Sequence, residues 1–232
     1  MNIPNWDQYC NDRNFAKAFE NQVLYAMCRD NTAHDSAYIN SGKITAIGRI
    51  YAAAPERGAG KSQGGQEAFP LALGRSFASS TIDDALMKIP FENKFSREKI
   101  PEINKIHGDL VKNIEECTKS WSASSNDRAW EPRSHVSFVS KYLHFHRPNF
   151  FPIMDSFAKA GLSCFWQKNS RRRNSFATYE KFCYAICDYV EGRNDFWTLR
   201  DIDSELVRRG RDHKKHAESC TSCGYQKNKK AK

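Results

Sequence analysis

The stretch SHVSFVSKYLHFHRPNFFPIMDSFA, Ser134 to Ala158, decides how the rest of the chain is read. At about 100° per residue, Val136, Phe138, Val139, Tyr142, Leu143 and Phe145 fall on one half of a helix, and Ser137, Ser140, Lys141 and His144 gather on the other. Arg147-Pro148 ends that helix, because proline has no N–H to donate and pushes the residue before it out of the α region. Pro152 interrupts the chain again. Asp155 then opens a second apolar-periodic run through Phe157, Gly161, Cys164 and Phe165, which puts it where a helix N-cap belongs.

Downstream, Arg171-Arg172-Arg173 breaks the pattern, and three adjacent arginines in a basic protein are candidate phosphate contacts. Phe176, Tyr179, Phe182, Cys183, Ile186 and Val190 describe a buried helix in which Cys183 and Cys187 pack as small apolar residues. Thr198-Leu199-Arg200-Asp201 begins a last helix, with Leu199, Ile202, Leu206 and Val207 facing inward. Upstream, Phe15, Phe19, Val23 and Met27 place a helix over Phe15 to Arg29, and Ile44, Ile47, Tyr51 and Ala54 place another that ends at Pro55. Ala68 to Ser79 is a short helix, and Thr81-Ile82-Asp83-Asp84 resembles a capping box opening the next. Ile103, Ile106, Leu110, Ile114 and Cys117 hold a helical period between Pro101 and Trp121. The polar connection SASSNDRAWEP, with Trp130 as its one large apolar residue, leads into the central stretch. Strand signals are scarce. The chain reads as all-α, a single two-lobed domain over residues 1–210 followed by a basic, mobile tail over 211–232.

Composition bounds the function. At 232 residues with 40% apolar side chains, the chain can bury a sizeable core. A formal charge of +9 favours an anionic partner, and nucleic acid is the commonest one for a basic protein of this kind. No apolar run approaches the ~20 residues of a membrane span, and MNIPNWDQYCNDRN has no signal-peptide core, so a cytosolic monomer is expected. Eight cysteines are too dilute at this length for a disulfide scaffold, and reduced thiols are the default.

Two segments invite site readings of their own. ERGAGKSQGGQE, Glu56 to Glu67, contains Gly60-Lys61-Ser62, but Pro55 stands where a Walker motif needs glycine and the segment before it is helical. A surface loop that touches DNA phosphates through Arg57 and Lys61 fits better. The tail carries His213, His216, Cys220 and Cys223, all zinc-ligand types, although four ligands within eleven residues are unusual for a structural site. The alternative for Cys220 and Cys223 is an exposed pair able to oxidise. No cofactor is expected otherwise.

The central stretch offers one lysine and one aspartate across a helix break. A hydrolase triad has no nucleophile elbow here, and a two-metal nuclease needs clustered carboxylates, whereas Ser134 to Lys168 contains only Asp155. Lys141, with Phe138 and Phe145 a turn away on either side, is a candidate amine nucleophile made more neutral by partial desolvation. Asp155 at a helix N-terminus sits where the dipole and orphan N–H groups favour a carboxylate. The structural readings are a lysine that snorkels into water and an aspartate that only caps its helix.

The order of a helix bearing a lysine, then Arg147-Pro148, then Pro152-Ile153-Met154-Asp155 heading a helix resembles the core of the helix-hairpin-helix DNA glycosylases, the oxoguanine type most of all. The resemblance covers Ser134 to Ala158. It implies an all-α, two-lobed enzyme that receives a flipped base, with Lys141 as nucleophile and Asp155 as the helix-capping carboxylate. It also implies that Trp130, His144, Phe145 and Ser137 are candidates to stack on or hydrogen-bond the base. The structural counterparts are a loop anchor for Trp130, core packing for Phe145 and a cation near a helix C-terminus for His144. The glycines of the family's hairpin turn are missing from WEPRSHVSFVSK, which leaves phosphate binding to the arginines and the tail. The expected activity is removal of a modified base from duplex DNA, in a divergent prokaryotic branch of the kind that attacks modified phage DNA. The competing class is a non-catalytic helical nucleic-acid-binding protein, with or without zinc in its tail.

Overall fold

A computed structural model of the chain describes residues 13–58, 67–124, 134–166, 176–191, 198–215, 219–220 and 225–226. They form α1 (Arg13–Asp30), α2 (Ala37–Ile50), α3 (Phe69–Ala78), α4 (Ile82–Met87), α5 (Ile100–Ser124), α6 (Val136–His146), α7 (Ser156–Trp166), α8 (Tyr179–Glu191) and α9 (Leu199–Lys215). Short 3₁₀ turns lie at Pro55–Gly58 and Arg97–Lys99. Among the described residues, β structure is limited to a two-residue ladder pairing Ser219 with Gln226 and Cys220 with Tyr225. The protein is all-helical, as its periodicity predicts. No helix among the described residues is long and apolar enough to cross a membrane. Cys28, Cys117, Cys164, Cys183 and Cys187 are free thiols.

The chain divides into two compact units, each discontinuous in sequence: Met1–Asp83 with Asn113–Arg133, and Asp84–Lys112 with Ser134–Lys232. In the first unit α2 and α3 meet backbone to backbone, because a Cβ on Gly74 would lie 2.3 Å from Ala37 O. Asn40 stitches that contact, donating to His34 O at 2.8 Å and Gly74 O at 3.1 Å. Lys43 is buried and donates to the carbonyls of Asn31 and Ala33, which satisfies the chain as it leaves α1. Trp121 of α5 meets Phe69 edge-on and donates its indole N–H to Glu67 O at 3.0 Å.

Two local contacts were not readable from apolar spacing. The inward side of α1 is not the Phe19–Val23 stripe, since those residues are 45% and 47% exposed, while Asn21, Leu24 and Cys28 are buried. A polar residue turns inward because Tyr51 donates its hydroxyl to the Asn21 side chain, and four-residue apolar spacing cannot reveal that partner. Asp83 lies between Thr81 and Asp84, the pair a capping box would use, and serves a different partner. Its carboxylate accepts the backbone N–H of His34 at 2.8 Å and bonds the His34 ring at 2.5 Å, while Ser80 Oγ accepts from Ile82 N.

The second unit is built around α6, in which every residue from Phe138 to His146 is buried. α7 and α9 cross each other at backbone distance. A Cβ on Gly161 would fall 2.1 Å from Leu206 O, and one on Gly210 would fall 2.0 Å from Phe157 O. The start of α9 is a reciprocal cap: Asp201 N donates to Thr198 Oγ1 at 3.1 Å, and Thr198 N donates to Asp201 Oδ2 at 3.0 Å. This helix continues past Arg208 to Lys215, so the first part of the basic tail is helical, with Arg208 and Arg209 both bonded to Glu205. Arg147 is buried at the end of α6. It donates to Leu86 O, Ile89 O and His146 O, each at 2.7 Å, and lies 4.1 Å from the centre of the Phe91 ring.

The glycine contacts set a test. Gly161→Ala should destabilise the protein by about 2–3 kcal/mol, because the methyl meets backbone that cannot rotate away. Gly108→Ala in α5, where a Cβ meets nothing within 4 Å, should instead stabilise by roughly 0.5–1 kcal/mol. Urea unfolding of the two variants beside the parent chain measures both signs.

Candidate functional site

The side of α6 that carries Ser137, Ser140, Lys141 and His144 is polar in the sequence, yet Ser140, Lys141 and His144 are fully enclosed. The reason is the path of the chain after Arg147, which returns along that side through Phe151 to Asp155. A buried extended segment needs partners for its peptide groups, and α6 provides them. His144 donates from Nδ1 to Phe151 O at 2.9 Å, which fixes its tautomer. Ser140 Oγ accepts from Met154 N at 3.0 Å, with Met154 O and Ser137 O within reach of its own proton. Tyr179 of α8 donates to Pro152 O at 2.8 Å and stacks on His107 with ring centres 3.8 Å apart. Pro148 and Pro152 have no N–H to satisfy, which suits a buried turn.

At the end of this segment Lys141 meets Asp155. Lys141 Nζ donates to Ser137 Oγ at 2.8 Å and lies 3.3 Å from Asp155 Oδ2. The other oxygen, Asp155 Oδ1, accepts from Phe157 N and Ala158 N, both at 2.9 Å. Asp155 is therefore the N-cap of α7 and the counter-charge of Lys141 at once. Exposure separates the two partners: the lysine side chain is 2% accessible and the aspartate 20%. The lysine does not snorkel into water. Burial lowers its pKa from the usual 10.5, and the charges of Asp155 and Asp203 oppose that fall.

Asp203 was not visible as a site residue in the linear sequence. It lies on α9, is buried, and accepts from Arg200 Nη1 at 2.9 Å. The available signal was its position. A carboxylate four residues after Leu199 and three before Leu206 sits inside the inward stripe of its helix, and a charge there needs a partner.

His144 and Phe145 point into the protein rather than to a surface, their rings edge to face at 5.7 Å. Burial holds the His144 pKa at about 4, so it is neutral near pH 7 and not a cation at the helix end. Ser137, at the lysine, is half-buried. Trp130, Arg171, Arg172, Arg173 and Lys61 lie outside the described residues, as does the side chain of Arg57, whose backbone belongs to the Pro55–Gly58 turn. His216 and Cys223 also lie outside them, together with the side chain of Cys220. His213 stands in the last turns of α9. Among the described residues, no group of three His, Cys, Asp or Glu side chains is placed to hold a metal ion. Cys183 and Cys187 are buried, and burial raises both thiol pKa values.

No protein-family model, curated protein or solved structure matches the chain.

The histidines that brace the break give a pH dependence of known sign. His144 and His107 each fall from 6.5 to about 4 in the folded protein, so the unfolded chain binds more protons between those values. Stability is fully present above pH 6.5 and should drop by about 3 kcal/mol per histidine as the pH falls toward 4. Burial lowers His34 and His135 as well, which adds in the same direction. Urea unfolding between pH 7 and 4.5 should show this slope, and His144→Gln should make it shallower by about one proton.

Proposed function

We propose that this protein is a DNA glycosylase that cleaves the N-glycosidic bond of a modified base extruded from duplex DNA. One observation carries the reading: a buried lysine and a helix-capping aspartate from opposite sides of a proline-marked break come together at 3.3 Å. The order of residues around that break resembles the helix-hairpin-helix glycosylases, and the +9 charge suits a polyanionic substrate. The capping carboxylate, partly open to solvent, is the group that meets the sugar. As the bond between C1′ and the base breaks, its electrons leave with the base, and Asp155 stabilises the positive charge that develops on the sugar. Extruding the base costs a few kcal/mol and is easiest for a modified or mispaired nucleotide, which makes modified DNA the substrate class. Arg57, Lys61 and Arg171 to Arg173 are assigned to phosphate contacts, and Trp130 and Ser137 to the base.

A second reading, a basic helical nucleic-acid-binding protein without catalysis, is favoured by the two amide bonds on Asp155 Oδ1, which a helix cap alone explains. Asp155→Asn separates the two. Asparagine caps helices as well as aspartate does, so the fold and salt-sensitive DNA binding should persist while the charge is lost. Base release should fall by about a hundredfold or more if Asp155 stabilises the transition state. The measurement is free base and alkali-labile sites from duplexes carrying oxidised, alkylated, deaminated and hypermodified bases, including glucosylated cytosine. Release by neither, beside tight binding, would favour the second reading, whereas equal release by both would keep the glycosylase and remove Asp155 from its chemistry.

A further inference from the structure

Lys141 and Asp155 differ in what can reach them. A nucleophile must come within about 3–3.5 Å of the atom it attacks. The Lys141 side chain is 2% accessible, with its ammonium on Ser137 Oγ and against Asp155 Oδ2, whereas Asp155 offers a fifth of its side chain to solvent. An amine attacks only through a free lone pair, which an ammonium paired with a carboxylate lacks. Asp155, at the cap of α7, lies 3.3 Å from this lysine, and the negative charge of Asp203 on α9 also favours the lysine's charged form. Those helices touch at backbone distance through Gly161 and Leu206 and through Phe157 and Gly210, so the carboxylates cannot drift apart without unpacking the crossing. Arg200 holds Asp203 Oδ2 at 2.9 Å and orients it, while Ser137 fills a further donor direction of the ammonium.

We infer that Lys141 is a positioning cation rather than the nucleophile: enclosed and paired with Asp155, it aims that carboxylate, and water attacks the sugar. The inference rests on the glycosylase reading and specifies its chemistry. With Oδ1 on the α7 amides and Oδ2 beside Lys141, neither oxygen of Asp155 is free to turn. The oxygen of the attacking water bonds to C1′ as the C1′–N bond breaks. The electrons of that bond leave with the base, which takes a proton from solvent, and the water gives up its proton to Asp155 or to bulk solvent. The product is a free base and an abasic site in an uncut strand, because no Schiff base forms to promote β-elimination. Asp203 has no contact with substrate in this scheme and acts only through Lys141.

The test reads the lysine directly and the reaction separately. In the full chain labelled with ¹³C and ¹⁵N at lysine, the Lys141 ε signal is identified by its loss in Lys141→Arg and followed through a pH titration. It should report an ammonium at pH 7, and Asp203→Asn should lower its midpoint by about one unit. A neutral amine at pH 7, or a midpoint that Asp203→Asn leaves in place, would overturn the positioning role. With a DNA duplex that the protein processes, borohydride should trap no covalent complex. Lys141→Arg should stay within about tenfold of the parent rate, because its cation preserves the contact to Asp155, while Lys141→Met should lose about a hundredfold. A borohydride-trapped adduct on Lys141 would overturn the inference and leave the glycosylase reading intact. Absence of base release from every duplex would overturn the glycosylase reading and the water attack with it, even with the lysine titrating as an ammonium. Should Asp203→Asn fail to fold, the parent titration and the trapping result still decide between cation and nucleophile.

Discussion

Everything in the second unit depends on how a buried, non-helical segment is satisfied. Between Arg147 and Asp155 the chain has left one helix and not begun the next, yet Phe150, Phe151, Pro152, Ile153 and Met154 are all buried. Peptide groups there cannot use water, and each unpaired one would cost about 1–3 kcal/mol. Side chains of α6 replace the missing partners, His144 at Phe151 O and Ser140 at Met154 N, while Lys141 meets the Asp155 carboxylate. Their spacing of one and four residues places them on a single side of the helix. The same side chains that hold the break therefore bring the lysine to the carboxylate, and the candidate site is a by-product of a folding requirement.

Buried cations recur for the same reason. Among the described residues Lys43, Lys141 and Arg147 are buried, and each has named acceptors. Lys43 is spent on two carbonyls at the end of α1, and Arg147 on three carbonyls around the end of α4 and of its own helix. Those two are accounted for by structure alone. Lys141 differs in lying 3.3 Å from a carboxylate that is partly open to solvent. A buried ion pair is weak evidence for stability, since desolvation offsets much of its attraction. Its position at a helix cap partly open to solvent is what makes a chemical role worth proposing.

The helices and their order were legible in the sequence because they follow from short-range rules: proline ends, capping residues and apolar periodicity. The N-cap role of Asp155 was legible for the same reason. Burial of polar residues was not. Periodicity assigned Ser140, Lys141 and His144 to an outward side and Phe19 and Val23 to an inward one, and the fold reverses both assignments. A hydropathy pattern counts a polar residue as solvent-facing unless its partner is known, and the partners here are a return segment for α6 and Tyr51 for α1. Asp203 escaped notice on the same ground, being more than 40 residues from the pair it serves.

By itself, then, the sequence determined an all-α chain, its principal breaks, its positive charge and the capping aspartate, because each depends on neighbours within a turn or two or on composition. Tertiary structure decided which polar residues lie inside and which carboxylate meets the lysine. It did so because the low-dielectric interior makes an unpaired charge or peptide group costly, and the partners that remove that cost come from distant parts of the chain.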